Sequence, residues 1–461
     1  MRVIVCGAGQ VGSSIARHLA TEGIDVTVVD ISPDQARKAD ESYDVRGMVG
    51  HASHPEVLER AGARDADMLI AVTRSDEVNM LACQVAYSLF KVRRRIARVR
   101  HNGYLKPIWQ GLYANDQLPI DVIISPEIEV ANGIARRLKT PGAFDTVPLA
   151  AGKVHLLGVH CNTGACLLLG RSLKEVAASD APGMAIGAIL RNGQAFVPRS
   201  GDCVQQGDDV YVIAETAHVD RVMKFLGHEE QLARRVVIVG GGNVGLSLAQ
   251  RLARSTPTVS LKVIEHSRER AEFISRELGD KAVILQGDAL DKEVLSEAQV
   301  ERAETIIAVT NDDETNIFAS VLAKREGCSR AITLVNKTSY ESLLPALGID
   351  AVVSPSAITI STILRHVRPG SISGLYTLRE DFGEVIEATA LEGSRLVQGA
   401  LREIGTPEGM LIGAIVRKGE VVIPTGATRV QPGDSIIATV TYRALRKAEA
   451  LLAGNSRVGK A

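Results

Sequence analysis

Aromatic residues and net charge are both scarce in this sequence of 461 residues. Phe, Trp and Tyr make up 3% of the chain, which argues against the stacked aromatic platforms that bind single-stranded nucleic acid. The 53 Lys and Arg are balanced by 54 Asp and Glu, so the formal net charge is −1 and no overall field attracts DNA or an anionic membrane. We therefore expect no nucleic-acid partner.

Long apolar runs, secretory signals and cysteine motifs are also missing. No segment reaches the roughly 18 apolar residues that indicate a membrane-spanning helix, and the first residues enter a short strand pattern without the apolar region of a signal peptide. The six cysteines, at positions 6, 83, 161, 166, 203 and 328, form no C-x-x-C pair. This usage favours reduced thiols in a cytoplasmic protein without direct membrane insertion, and we expect no metal at Cys161 and Cys166.

What the sequence does contain is an internal repeat. The glycine-rich segment VIVCGAGQVG, which begins at Val3, returns as VIVGGGNVG from Val237. Three further pairs follow in the same order: MLIAVTRSDEVNMLA with TIIAVTNDDETNIFA, DVIISPEIEVA with AVVSPSAITIS, and MAIGAILRNGQAFVP with MLIGAIVRKGEVVIP. The chain is therefore a duplicated unit of two parts.

The two parts of each unit have different patterns. The first part alternates short apolar strands with amphipathic helices, which is typical of a doubly wound parallel sheet. The second part has short strands separated by turn signals and one helix at its end. The sequence predicts an α/β protein with two doubly wound Rossmann-like parallel-sheet domains, each followed by a small α+β module.

We place the boundaries from these patterns and from the Pro and Gly residues between them. The predicted parts are domain N1 (1–124), a connector helix (125–142), module C1 (143–228), domain N2 (232–353), a second connector helix (354–370), module C2 (371–454) and a flexible tail (455–461). Within N1, the pattern predicts a strand over 96–100 and a helix over 103–114.

Both glycine loops lie in the context that a dinucleotide-binding site requires: strand, glycines, helix, second strand and then a carboxylate. The first glycine permits the tight turn, the second lets the backbone approach a pyrophosphate at the helix N-terminus, and the third lets the helix pack on the strand. These glycines are Gly7, Gly9 and Gly12 in N1, and Gly240, Gly242 and Gly245 in N2. The carboxylates of Asp30 and Glu265, about 20 residues further on, favour NAD(H) or an adenine nucleotide over NADP, because they accept ribose hydroxyls and repel a 2′-phosphate.

The two sites differ in charge. N1 carries Arg74, Arg98 and His51 where N2 carries Asn311, Leu334 and Asp288. Each difference makes N1 more positive, so our hypothesis is that N1 accepts the extra phosphate charge of ATP while N2 resembles an NAD site. The alternative is that these arginines only solvate a sheet edge.

Other functions are less well supported by the residues. An NAD-dependent oxidoreductase with duplicated Rossmann domains is the main alternative, but no His–Asp or Lys–Tyr constellation stands out between the nucleotide domains. A P-loop ATPase is excluded because G-x-x-x-x-G-K-[ST] is absent. His51 and His54 have no third metal ligand nearby, and we interpret the basic run over 91–100 as a helix end that leads into a strand rather than a nucleic-acid patch.

The order N1–C1–N2–C2, both glycine loops with Asp30 and Glu265, and the paired strands AVTR and AVTN resemble the RCK (regulator of potassium conductance) family. The hairpins GAILRNG and GAIVRKG, with the turns QQGDD and QPGDS, resemble its C-terminal modules. The resemblance covers about residues 1–453. It implies a cytosolic regulatory subunit without enzymatic activity, which binds NAD(H) and/or ATP and ADP.

The resemblance also implies partners and site residues. It implies a homo-oligomeric ring that docks under a Trk-type membrane potassium-translocating subunit and changes shape when nucleotide binds, with the helices from Pro126 and Pro355 as candidates for carrying the motion. The implied residues in N1 are Gly7, Ala8, Gly9, Gln10, Val11, Gly12, Asp30, Thr73, Arg74 and Arg98. In N2 they are Gly240, Gly241, Gly242, Asn243, Val244, Gly245, Glu265, Asp288 and Thr310.

Overall fold

The computed structural model describes residues 1–113, 117–162, 164–177, 183–256, 258–341, 343–367, 372–379 and 382–452. The predicted tail over 455–461 and the predicted end of the second connector helix at 368–370 lie outside these ranges.

N1 is a six-stranded parallel sheet with a hydrophobic cluster on each face. Its elements are β1 (Arg2–Cys6), α1 (Gln10–Thr21), β2 (Asp25–Asp30), α2 (Pro33–Ser42), β3 (Arg46–Val49), α3 (Pro55–Arg60), β4 (Met68–Ala71), α4 (Asp76–Phe90), β5 (Arg94–Arg98) and β6 (Val122–Ile124), followed by the connector helix α5 (Pro126–Leu138). The strand order β3-β2-β1-β4-β5-β6 is that of a doubly wound dinucleotide-binding sheet. In such a sheet, ligands bind at the carboxyl ends of β1 and β4, where the strand order reverses.

In the second half of N1 one prediction is wrong and another is displaced by two residues. The segment predicted as a helix over 103–114 forms 3₁₀ turns at Asn102–Leu105 and Pro107–Tyr113, since the residue before a proline disfavours helical geometry. The strand predicted over 96–100 lies at Arg94–Arg98. Within it Arg95 is only 3% exposed and pairs with Asp121 at 2.7 Å, so the basic run is partly sheet core.

C1 is a five-stranded antiparallel sheet in the order β10-β9-β11-β8-β7. Its elements are β7 (Ala143–Leu149), β8 (Val154–His160), α6 (Leu173–Ala177), β9 (Met184–Arg191), β10 (Gln194–Phe196), β11 (Asp209–Glu215) and α7 (Val219–Phe225). The sequence predicts a single helix at the end of this module, so the short α6 is an addition that its five residues were too few to reveal.

N2 repeats the topology of N1, in the order β14-β13-β12-β15-β16-β17. Its elements are β12 (Arg235–Val239), α8 (Asn243–Ser255), β13 (Ser260–Glu265), α9 (Arg268–Leu278), β14 (Val283–Gln286), α10 (Lys292–Glu297), β15 (Thr305–Ala308), α11 (Asp313–Arg325), β16 (Arg330–Leu334), α12 (Thr338–Glu341) and β17 (Ala351–Val353), followed by the connector helix α13 (Pro355–Val367).

C2 repeats the topology of C1, in the order β18-β19-β22-β20-β21. Its elements are β18 (Ile372–Arg379), β19 (Gly383–Thr389), α14 (Leu401–Ile404), β20 (Met410–Arg417), β21 (Glu420–Val422), β22 (Ser435–Thr441) and α15 (Leu445–Leu452). One face of this sheet packs against C1, where Leu156 and Ile213 share a core with Val385 and Ile437.

The connector helices are exchanged between the two halves. Helix α5 follows N1 but buries Val130 and Ile134 in the core of N2, against α8. Helix α13 follows N2 but buries Ile360 and Ile363 in the core of N1, against α1. Each connector therefore completes the sheet packing of the other half, and the two halves are interlocked.

Candidate nucleotide-binding sites

Two glycines of the N1 loop are required by the fold itself. Gly7 has φ +106°, and a Cβ there would lie 3.1 Å from the backbone nitrogen of Thr73. A Cβ at Gly12 would lie 1.8 Å from the carbonyl oxygen of Gly7. These glycines let α1 and the loop after β4 approach the end of β1. Gly240 (φ +98°) and Gly245, whose Cβ would lie 1.9 Å from the Gly240 carbonyl oxygen, repeat this arrangement in N2.

The fold does not require a glycine at the middle position of either loop. Gly9 caps α1 at φ −69° and ψ −175°, a backbone geometry open to any residue, and a Cβ there would meet nothing within 4 Å. Gly242 caps α8 in the same way, at φ −61° and ψ −167°. Each glycine therefore leaves open space beside the free N–H groups of a helix N-terminus, which is the arrangement that binds a pyrophosphate.

The two predicted ribose carboxylates are held in the same orientation. Asp30 Oδ2 accepts the N–H of Ala8 at 2.6 Å, while Oδ1 accepts that of Ser32 at 2.8 Å. Glu265 accepts the N–H of Gly241 at 2.7 Å and that of Ser267 at 2.8 Å. Each oxygen keeps a further lone pair with which it can accept a ribose hydroxyl. The carboxylates thus brace the glycine loops and complete the predicted ribose position.

Other predicted residues adjoin these loops through their backbone. Ala8 is 1% exposed, so it offers its N–H rather than its side chain. Val11 and Val244, in the first turns of α1 and α8, pack against the hydrophobic clusters of their domains. Gln10 is exposed and reaches across to the other half, because its Nε2 donates to the carbonyl oxygen of Asn336 at 3.1 Å and to Ser356 Oγ at 3.3 Å.

Arginines of N1 lie near Thr73, the residue that adjoins Gly7 of the glycine loop. Arg98 Nη2 donates to the carbonyl oxygen of Thr73 at 2.8 Å, while its Nε is buried without a hydrogen-bond partner among the described residues. Burial lowers the pKa of Arg98, and the nearby charges of Arg100 and Arg74 lower it further. Asp76 and Glu127 oppose this shift, and Glu127 already pairs with Arg100 at 2.7 Å. A bound anion would therefore be stabilised chiefly by Arg98 and Arg74.

N2 lacks this cluster. Thr310 adjoins Gly240 as Thr73 adjoins Gly7, but the next residue is Asn311 and the end of β16 is the buried Leu334. Asp288 is exposed just after β14, where its carboxylate accepts the N–H of Leu290 at 2.9 Å. The predicted residues of N2 therefore present carboxylates and no cation.

One cation of N2 is missed by the sequence analysis. Arg270, on α9, donates from Nε to the carbonyl oxygen of Gly241 at 2.8 Å, and its guanidinium lies 4.9 Å from the ring centre of Phe273. Its counterpart in N1 is Gln35, because the N–H groups of both residues bond to the serine that caps the second helix. The charge difference between the sites is thus smaller than the sequence comparison indicates. Alignment of the two second helices would have revealed it.

Two buried asparagines are also missed. Asn79 is 0% exposed, and its Oδ1 accepts the N–H of Thr73 at 2.8 Å and the hydroxyl of Thr73 at 2.7 Å. Its Nδ2 donates to the carbonyl oxygens of Thr73 and Arg98, at 3.1 and 2.9 Å. Asn316 makes the same four bonds to Thr310 and Leu334. The repeated D-E-x-N pattern in both halves was the available signal.

The residues considered for other roles form no competing site. The rings of His51 and His54 stack with centres 4.7 Å apart, and His51 Nδ1 bonds to Ser53 Oγ at 2.8 Å. Over the described ranges, no three His, Cys, Asp or Glu side chains are grouped so that they could hold a metal ion. Likewise, none of the described helices is both long and apolar enough to cross a bilayer.

Comparison with known proteins decides the family. Residues 3–126 and 236–355 match the TrkA-N domain, and residues 166–227 and 385–453 match the TrkA-C domain. The chain belongs to the TrkA family. It is 46% identical to the Trk system potassium uptake protein TrkA of Azorhizobium caulinodans and 41% identical to that of Halomonas elongata, over 98% of both chains in each case.

Solved structures agree on the fold. The crystal structure of the GsuK RCK domain superposes with a TM-score of 0.59 at 20% identity, covering 98% of this chain and 94% of that one. The GsuK channel bound to NAD gives the same TM-score and identity, and covers 98% of this chain and 78% of that one. The RCK resemblance is therefore confirmed for the fold, and the family membership separates this chain from the NAD-dependent oxidoreductases.

Proposed function

We propose that this chain is the nucleotide-binding regulatory subunit of a Trk-type potassium uptake system. It binds NAD(H) or an adenine nucleotide at N1 and N2, and the bound nucleotide sets how the membrane potassium-translocating subunit is gated. The observation that carries this proposal is the open space at Gly9 and Gly242, which the protein itself does not require. The names of the TrkA relatives, which are potassium uptake proteins, support the transport role.

The two sites prefer different nucleotides. In N1 the unpartnered Arg98 Nε and the nearby Arg74 favour the larger phosphate charge of ATP or ADP. In N2 a single cation, Arg270, stands beside the carboxylates of Glu265 and Asp288, which suits the two phosphates of NAD(H). The nucleotide preference of each site rests on this difference in charge. Titration of each site with ATP and with NADH tests it.

The exchanged connectors provide the route from nucleotide to ring. A phosphate at the N-terminus of α1 binds the helix that packs on α13, and a phosphate on α8 binds the helix that packs on α5. Gln10 adds a direct contact from the N1 loop to Asn336 and Ser356. A nucleotide that prefers one packing of these helices shifts the equilibrium by its difference in affinity, about 1–3 kcal/mol per site.

Exposed apolar side chains support a homo-oligomeric ring. On N1 they lie on α4 and in the 3₁₀ segment after β5, and on N2 they lie on α11 and in the segment after β16. They are Leu81 (49% exposed), Ile108 (73%), Trp109 (54%), Phe318 (57%), Leu343 (59%) and Leu347 (48%). Since equivalent elements of both halves carry them, copies of the chain can join through N1 and N2 in a repeating way. The ring would lie at the cytoplasmic face of the membrane, attached through its partner.

The decisive experiment is potassium flux into vesicles that contain the purified membrane subunit. We expect ATP or NADH to change the flux only when this chain is present. The variants Gly9→Ala and Gly242→Ala should each remove the response to one site's nucleotide while the thermal unfolding midpoint stays the same. Flux that ignores nucleotide in the presence of the chain contradicts the proposal. Steady turnover of NADH with a carbonyl substrate would instead support an oxidoreductase.

A further inference from the structure

Module C1 holds a pair of cysteines in contact, outside the nucleotide sites. Cys161 follows the last residue of β8, and Cys166 lies in the loop that leads to α6. Their Sγ atoms are 3.8 Å apart, and the two residues are 0% and 4% exposed. A shift of about 2 Å would bring the sulfurs to the length of a disulfide bond.

Packing alone does not require thiols at these positions. In C2 the counterpart of Cys161 is Ala390, since both residues bond through N–H and C=O to the same positions of the Gly-Asp turn before the last strand. The counterpart of Cys166 is the buried Ser394, because each lies two residues before a fully buried leucine and accepts an N–H from three residues later. The same fold is thus built once with a thiol pair and once without it.

The two thiols are chemically unequal. The hydrogen bond between the two sulfurs lowers the pKa of Cys166. Burial opposes this effect, while the N–H groups of Leu168 and Leu169 and the nearby His228 lower the pKa further. The same contact, together with burial, raises the pKa of Cys161. Cys166 is therefore the more acidic of the two thiols, and Cys161 is the one that keeps its proton more firmly. This is the arrangement of an attacking and a resolving cysteine.

A surface depression adjoins the chain neighbours of Cys166. The residues on either side of Cys166, Ala165 and Leu167, line a surface depression of about 430 Å³, together with Lys224 and Phe225 of α7. Leu167 is 55% exposed, and the adjacent Cys166 is the more exposed of the two cysteines, at 4% against 0% for Cys161.

We propose that Cys161 and Cys166 form a reversible disulfide when a hydroperoxide reaches C1. The Cys166 thiolate attacks one peroxide oxygen, the O–O bond breaks, and sulfenic acid and hydroxide form. The Cys161 sulfur then attacks the Cys166 sulfur, the S–OH bond breaks, and the leaving hydroxide takes up the Cys161 proton as water. The hydroxide from the first step accepts the proton that Cys166 released, so two thiols and one hydrogen peroxide give one disulfide and two waters.

The bond would form at the junction between C1 and N2. His160, which precedes Cys161, offers its carbonyl oxygen to His228 Nε2 at 3.1 Å, and His228 starts the segment that leads into N2. Drawing the sulfurs together would therefore displace His160 and act on its hydrogen bond to His228. An oxidised chain can differ from a reduced one in how C1 is joined to N2, with the nucleotide loops unchanged.

The test is a thiol map of the purified full chain after graded hydrogen peroxide. The chain is quenched, unfolded, alkylated, digested and measured by mass spectrometry. We expect Cys161 and Cys166 to disappear together into one cross-linked peptide, at least about tenfold faster than Cys203 is lost, and dithiothreitol to restore both. Full alkylation of the pair at a dose that oxidises Cys203 would overturn the proposal.

Matched variants copy the residues of C2. Cys161→Ala and Cys166→Ser should unfold at the same temperature as the natural chain, since C2 folds with alanine and serine at these places. With Cys161→Ala, Cys166 should accumulate as a sulfenic acid that dimedone traps. With Cys166→Ser, Cys161 should resist oxidation by at least about tenfold, because burial still raises the pKa of its thiol. Equal oxidation of Cys161 in the natural chain and in Cys166→Ser would refute the assigned roles.

Discussion

The most informative perturbation is Gly9→Ala, because it separates binding from folding. The backbone angles at Gly9 suit alanine, and the new methyl group would meet no protein atom within 4 Å. Such a substitution stabilises a fold by about 0.4–1 kcal/mol through the unfolded chain. We therefore expect the free energy of unfolding to stay the same or to rise slightly.

Nucleotide binding should respond in the opposite direction. The methyl group would stand where a pyrophosphate approaches the first turn of α1, so the ligand must move away from the N–H groups that hold it. We expect the N1 dissociation constant to increase at least tenfold, which corresponds to about 1.4 kcal/mol. Calorimetric titration of the full chain with ATP and with NADH measures this, and Gly242→Ala is the matched variant for N2.

Gly12→Ala provides the contrast within the same loop. Its Cβ would lie 1.8 Å from the Gly7 carbonyl oxygen, so the backbone must move. We expect the free energy of unfolding, measured in urea, to fall by about 1–3 kcal/mol or more.

If Gly9→Ala bound nucleotide with unchanged stoichiometry and affinity, the open space at Gly9 would not be a ligand position. A large loss of stability in Gly9→Ala would refute the reasoning from its geometry.

Three further substitutions test the neighbouring residues. Asn79→Ala leaves the N–H and carbonyl of Thr73 without their buried partner and should lower the free energy of unfolding by about 2–4 kcal/mol, measured in urea. Arg98→Leu, which installs the residue found in N2, should weaken ATP binding at N1 about tenfold or more and NADH binding less, measured by calorimetry. Arg270→Gln, which installs the N1 residue Gln35, should weaken nucleotide binding at N2 alone, measured in a Gly9→Ala background.

One control serves these variants, and each variant has an outcome that would contradict its prediction. The exposed Gln35, changed to Ala, should leave unfolding and N2 binding unaltered. Equal losses for ATP and NADH in Arg98→Leu would show that charge matching does not distinguish the nucleotides. Unchanged N2 binding in Arg270→Gln would remove that arginine from the site, and stability equal to the natural chain in Asn79→Ala would contradict the role of its four hydrogen bonds.

Short-range spacing made much of this protein predictable. The repeated glycine loops, the carboxylates Asp30 and Glu265, and the alternation of strands and helices are properties of consecutive residues. The tight turn at Gly7 and the helix start at Gly9 depend on backbone geometry within one loop. The doubly wound topology follows because parallel strands need helical crossovers.

Contacts between residues far apart in the sequence could not be predicted from such spacing. Arg270 reaches the glycine loop only because α9 packs beside it, and Asn79 matters because a buried polar group must find partners from whichever loops enclose it. Pro107 divides a segment whose composition resembles a helix into 3₁₀ turns. In each case the sequence pattern shows that a residue is amphipathic or polar, but it does not show which residues surround it in space.

The sequence by itself predicted two nucleotide-domain folds, the small α+β module after each and the loops at which phosphates would lie. Only the tertiary structure decided that each connector helix covers the other half. An apolar stripe indicates that one face of a helix is buried, but it does not indicate which surface that face packs against. The same reason applies to Cys161 and Cys166. Their spacing along the chain indicates nothing, and the turn after β8 brings their sulfurs into contact.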